Sequence, residues 1–284
     1  MASTSRLLRL PRELRDLIML DAMTIRHPPP TRSFRTISPP GTDGQFYLWS
    51  EHSNWQYLNL LAVNGQIRAE AKDLTTQLYN AKRIRFEIDI LVKGYVYTPK
   101  WTLQNLALQP NSPLDLQVNL VILSTEAFRA NDGWPRQPGH IFRTLLNFLS
   151  RFLHQGPTFL HDDASFFTKG PFYLRNLILN VTFQDDYTRG THAETVREIC
   201  RMMKALSKLD TASKYFGRIQ VDASWQVQGE DFQLQREWHL GERFNAVDQE
   251  QGELKEADWA AVGFHFGEAW VSKYARRRDR VPGD

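Results

Sequence analysis

Residues 83–90, Arg-Ile-Arg-Phe-Glu-Ile-Asp-Ile, alternate charged and apolar side chains without a break. Successive side chains of a strand point to opposite faces, so Ile84, Phe86, Ile88 and Ile90 share one face and the charges take the other. Such a strand buries one side only, and the sheet around it must close that side with another layer. Further β-rich segments at 116–123, 174–183, 218–225 and 232–240 are separated, in part, by helical patterns at 141–154 and 193–209. Most of these strands are not joined by tight two-residue turns, which favours crossover connections over a meander. The fold class expected is α/β or α+β, a mixed sheet with packed helices. Spacing between the elements is irregular, so no solenoid repeat is established. In a last helical pattern at 257–274, Trp259, Val262, Phe266 and Trp270 fall on one face suited to docking on the core.

The N-terminal quarter reads differently. Pro11 stands at a first helical position, and Leu14, Leu17, Ile18 and Ala22 recur on one helical face behind it. Prolines at 28–30 and 39–40 exclude a helix between them, because proline lacks a backbone donor and restricts its predecessor. A loop with a short hairpin around 46–49 is expected there. A second helix follows, with Leu60, Val63, Ile67, Ala71, Leu74 and Leu78 at three- and four-residue steps. Gly65 falls inside that pattern at about 1 kcal/mol relative to Ala, which calls for a close contact or a kink. The stripe of Leu14, Leu17 and Ile18 has two uses on this reading. It can pack on Leu60, Val63 and Ile67 as core, the plainer use, or face a partner.

Composition narrows the function classes. With 42% hydrophobic, 12% aromatic and 24% charged residues, the 284-residue chain is far from the profile of a disordered one. Its apolar runs, such as 58–63 and 120–123, are much shorter than the roughly 20 residues of a spanning helix, in line with a mean hydropathy of -0.47. Leu7, Leu8 and Leu10 are interrupted by Arg9 and followed by Pro11, so no secretory h-region is expected. The single cysteine, Cys200, allows neither an internal disulfide nor a multi-cysteine zinc site, and points to a reducing compartment, cytoplasmic or nuclear. Cys200 sits among Val196, Ile199 and Met203 on a helical pattern and reads as a small buried hydrophobe.

Chemistry-bearing motifs are missing: no phosphate-binding P-loop, dinucleotide turn, zincin helix or serine elbow occurs. No catalytic residue, metal site or cofactor is therefore assigned. The nearest approach to a metal cluster is His161-Asp162-Asp163, with Asp185-Asp186 and His192-x-Glu194 further on, and these carboxylates read more simply as turn residues. His239 and His265 read as packed or surface histidines. Charge is patterned along the chain: residues 1–36 hold seven Arg against three acids, residues 228–258 nine acids against three bases. A basic tail follows with Lys273, Arg276, Arg277, Arg278 and Arg280. Such a tail suits nuclear import, nucleic acid or a solvated end, and a net charge of only +3 does not favour nucleic acid.

Two segments carry a resemblance. Leu10-Pro11-Arg12-Glu13-Leu14-Arg15-Asp16-Leu17-Ile18 and Leu60-Leu61-Ala62-Val63-Asn64-Gly65-Gln66-Ile67-Arg68-Ala69-Glu70-Ala71, followed by the strand with Phe86, resemble the LPxELRxxI and LLxVNxQIRxEA motifs of fungal F-box-like proteins. The resemblance covers about the first 90 residues. It implies N-terminal helices like an F-box, the module that docks on a Skp-type adaptor of cullin–RING ubiquitin ligases, and a following domain that recognises a target. Carried over by residue, it implies Leu10, Pro11, Leu14, Leu17 and Ile18 as the adaptor-facing set.

The organisation expected is an F-box-like segment with a Pro-rich insertion at 1–80, integrated with an α/β domain at 81–272, then the basic tail at 273–284. The function expected is non-enzymatic protein recognition, with Trp49, Trp55, Trp101 and Trp134 as anchors in loops. Core burial is the simpler use of each tryptophan. The rivals are a nucleic-acid-associated nuclear protein and a divergent metal- or small-molecule-binding enzyme with a pocket near Asp162, Asp163, Asp185 and Asp186.

Overall fold

A computed structural model describes residues 6–24, 34–37, 45–49, 64–81, 85–93, 96–103, 113–124, 140–156, 171–184, 191–227 and 230–240, together with Trp259 and Phe264. Among these described residues four α-helices and eight strands run in the order α1 (Arg12–Thr24), β1 (Phe34–Ile37), β2 (Gln45–Trp49), α2 (Gly65–Asn80), β3 (Arg85–Lys93), β4 (Val96–Leu103), β5 (Pro113–Ser124), α3 (His140–Gln155), β6 (Tyr173–Phe183), α4 (Thr191–Ser207), β7 (Phe216–Val227) and β8 (Glu230–His239). All eight strands form one mixed sheet in the order β1-β2-β4-β3-β5-β6-β7-β8. The fold is a mixed sheet with packed helices, as the alternating pattern predicts.

The centre of the sheet is parallel. β3, β5, β6 and β7 run the same way, α3 connecting β5 to β6 and α4 connecting β6 to β7. Parallel neighbours need such crossovers, whereas β4 and β8 turn straight back as antiparallel partners of β3 and β7. Beyond β4, the Pro-rich segment adds β2 in parallel and β1 antiparallel to β2, with Phe34 opposite Trp49. Residues on both sides of position 80 therefore build the same sheet.

One face of the central strands is apolar. Phe86, Ile88, Ile90, Leu116, Val118, Leu120, Ile122, Leu177, Leu179, Val181, Ile219 and Val221 are all buried, each contributing roughly 1.5–3 kcal/mol by leaving water. Phe152 of α3 meets Phe86 and Trp101 at ring distances of 5.9 and 5.7 Å, and α4 buries Val196, Ile199, Met202, Met203 and Leu206. Trp101 is thus a core residue on a strand rather than a loop anchor. Its strand, β4, escaped the pattern because Pro99 interrupts it; Pro99 pairs Ile90 of β3 beyond the point where β2 pairs β4, so a missing donor is tolerated.

The opposite face carries half-buried polar side chains in register. Asn180 donates to Asn119 at 2.8 Å and Asn119 to Asp89 at 2.6 Å, a row crossing three strands. A register shift opposite Leu114/Asp115 leaves Arg175 as the extra residue of β6, and its Nε donates to Asp115 at 2.9 Å. Two glycines are required by the backbone. Gly156 ends α3 with φ 73°, and a Cβ on Gly217 would stand 2.9 Å from the Arg175 carbonyl oxygen and 2.6 Å from the Tyr173 hydroxyl.

Candidate functional site

The N-terminal helices form a pair whose geometry starts from Asn64. Its Oδ1 accepts the Ile67 N–H at 2.9 Å, so Asn64 caps α2 and Gly65 is the first helical residue rather than an interior one. Among the described residues nothing lies within 4 Å of a Cβ built on Gly65, so the close contact expected of it is not found. Ile67, Ala71, Leu74 and Leu78 are buried along one side of α2 as their spacing predicts; Leu60 and Val63 lie outside the described residues.

α1 faces the other way from its simplest reading. Its inward side is Arg15, Met19 and Met23, one turn apart and all buried. The Arg15 guanidinium is bidentate on Glu70 of α2, with Nε to Oε2 at 2.8 Å, and its third nitrogen donates to the Leu10 carbonyl oxygen. Gln66 donates to the same carboxylate at 3.0 Å. The Arg15 hydrogen bond holds the Glu70 carboxyl well below its ordinary 4.5, at about 2, against the opposing effect of burial. Above the pair, Arg12 donates to Asp73 at 2.9 Å. The Arg of the first motif and the Glu of the second are therefore the clamp that sets the rotation of α1 on α2. Two oppositely charged residues, each fixed within an apolar-periodic helix, are the signal by which sequence alone could have paired them.

With that side locked, the apolar stripe of α1 is left on the outside. Leu14, Leu17 and Ile18 are 46%, 61% and 45% exposed, Pro11 is exposed, and Leu10 is half-buried at the head of the helix. The expectation that Leu14, Leu17 and Ile18 pack as core is overturned, because Arg15 and Met19 occupy the position facing α2. Among the described residues, Phe232 is the one other large apolar side chain exposed by more than a third. Leu14, Leu17 and Ile18 thus line one side of α1, with Leu10 and Pro11 just ahead of its first residue, and an exposed apolar row of this kind suits insertion into a partner's groove.

Asp162, Asp163, Asp185, Asp186, His161, His265, Trp55, Trp134 and the tail residues Lys273, Arg276, Arg277, Arg278 and Arg280 lie outside the described residues, as does the side chain of Trp49. Among the described residues no group of three metal-ligating side chains occurs, and no helix is long and apolar enough to cross a membrane. His192 is buried with its ring 4.3 Å from that of Phe183, while Glu194 is exposed. His239 meets Glu237 at 2.6 Å on β8. Cys200 is half-buried, and burial raises its thiol above the ordinary value, away from a reactive thiolate. Trp259 and Phe264 are fully buried and touch edge to face. No protein-family model matches the chain, and neither does a curated protein or a solved structure.

Proposed function

We propose that this chain is a non-enzymatic recognition protein that docks through the outer face of α1, and that its partner is a Skp-type adaptor of a cullin–RING ubiquitin ligase. The observation that carries the reading is the exposure of Leu14, Leu17 and Ile18 on a helix whose opposite side is clamped by Arg15 and Glu70. A rigid helix loses little freedom on binding, so its exposed apolar area is available for affinity. The motif resemblance supplies the identity of the partner, and the sheet domain would then present the target. The single cysteine suits a cytoplasmic or nuclear setting for such an assembly. A nucleic-acid role has less support, because Arg12 and Arg15 of the basic N-terminal segment already face Asp73 and Glu70.

Co-elution with a purified fungal Skp-type adaptor on size exclusion tests the reading. The wild type is expected to form a complex, and a Leu14→Asp, Leu17→Asp variant to lose it while keeping its circular dichroism and melting temperature. Absence of a complex with the wild type, or a complex indifferent to both substitutions, would overturn the proposal.

A further inference from the structure

A second surface stands apart from α1, at the edge of the sheet. β8 pairs with β7 along its whole length without a register shift, and among the described residues no strand lies beyond it. Eight of its ten residues are exposed. Leu240, just past its end, donates its N–H to the Gly217 carbonyl oxygen at 2.9 Å. Backbone groups alternate in direction along an antiparallel strand, so those of Asp231, Gln233, Gln235, Glu237 and His239 point away from β7. Such an edge is a template for another strand, and proteins commonly shield one by keeping it short or by placing proline, lysine or a bulge in it. β1, at the other edge, is four residues long, whereas β8 has ten and none of these devices.

The sequence of β8 is complementary to itself. When two copies meet antiparallel about a two-fold axis at Gln235, Phe232 stands opposite Trp238 of the second copy, Asp231 opposite His239, Gln233 opposite Glu237 and Leu234 opposite Arg236. No like charges stand directly opposite one another in this register. Phe232 and Trp238 fall at non-hydrogen-bonded positions of the new ladder, where side chains approach most closely, so Phe232, 39% exposed in the single chain, gains a cover. Backbone bonding permits slips of an even number of residues only. A slip of two sets Arg236 opposite its own copy in one direction and Asp231 opposite Glu237 in the other, so charge favours the register centred on Gln235 over its neighbours. We infer that the protein pairs with a second copy of itself through β8, as a closed two-fold dimer whose two sheets become one and which carries an α1 stripe on each copy.

Sedimentation of the full chain over a concentration series tests this, the wild type being expected to pass reversibly from monomer to dimer. Gln235→Lys, at an exposed position, sets two like charges together on the two-fold axis and is expected to weaken association severalfold with circular dichroism unchanged. Phe232→Ala removes both aromatic pairs of the dimer and is expected to weaken it about tenfold. The register has its own readout. In a Cys200→Ser background, Gln235→Cys is expected to form an intermolecular disulfide on mild oxidation, because its two copies would stand about 5.5 Å apart at Cα. Gln233→Cys is expected not to, its two copies being about 14 Å apart along the strands. The Leu14→Asp, Leu17→Asp variant is expected to dimerise as the wild type does, which separates this edge from the α1 surface. A chain that stays monomeric throughout, and so leaves the edge to a strand of another protein, would overturn the inference. So would a dimer indifferent to Gln235→Lys, a dimer lost with Leu14 and Leu17, or crosslinking through position 233 as readily as through 235.

Discussion

α1 and α3 are both helices with a stripe of large apolar residues, and the fold uses the stripes in opposite ways. α3 presses Leu145, Leu149, Phe152 and Leu153 into the core, with Phe152 against Phe86 and Trp101. α1 turns Leu14, Leu17 and Ile18 outwards and buries an arginine instead. Periodicity shows that a helix has a stripe; which way the stripe faces is decided by what the other side can bind. Arg15 has a dedicated carboxylate in Glu70, and burying a paired charge is tolerable where burying a lone one is not.

The largest test of this contrast is a truncation on the covered helix. Phe152→Ala removes a fully buried ring from between two others and is expected to cost about 3–5 kcal/mol in denaturant unfolding. A cost under about 1 kcal/mol would mean that α3 is no more committed to the core than α1 is.

The clamp comes next, and its signature is pH dependence. Glu70 titrates near 2 when folded and near 4.5 when free, so the unfolded chain takes up the proton first. Its contribution is complete above pH 4.5 and is lost as the pH falls from there towards 2. Glu70→Gln is expected to lower the melting temperature at pH 7, by leaving Arg15 without its counter-charge, and to flatten the decline between pH 5 and pH 3 relative to the wild type. Parallel melting profiles of the two proteins across that interval would show that the pair does not hold α1 in place.

Much of this fold was legible because its strands have one wet face. The alternation in β3, β5 and β6 is visible by eye, and α3 and α4 lie within about two residues of their sequence patterns. What was not legible depended on distant partners. Arg15 and Glu70 are 55 positions apart, so the rotation of α1 could not be read from its own spacing. Gly65 seemed interior because Leu60 and Val63 extend the apolar period, while the cap at Asn64 starts the helix after them. β4 was lost to Pro99, and with it the placement of Trp101 on a strand rather than in a loop, while its burial is the simpler use that its residue type suggests.

The smallest effect is the one that bears most directly on α1. If its outer stripe serves a partner and not the fold, removing it should leave the isolated chain almost unchanged. Leu17, exposed by 61%, has little burial to lose, so Leu17→Ala is expected to shift unfolding by no more than about 0.5 kcal/mol, against several for Phe152→Ala. On the proposed adaptor reading the same substitution should weaken the complex, because there the side chain would become buried. Denaturant unfolding of Leu17→Ala beside a titration of the adaptor separates the two roles. A loss of 2 kcal/mol or more in the free chain would place Leu17 in the protein's own core and remove the asymmetry between α1 and α3.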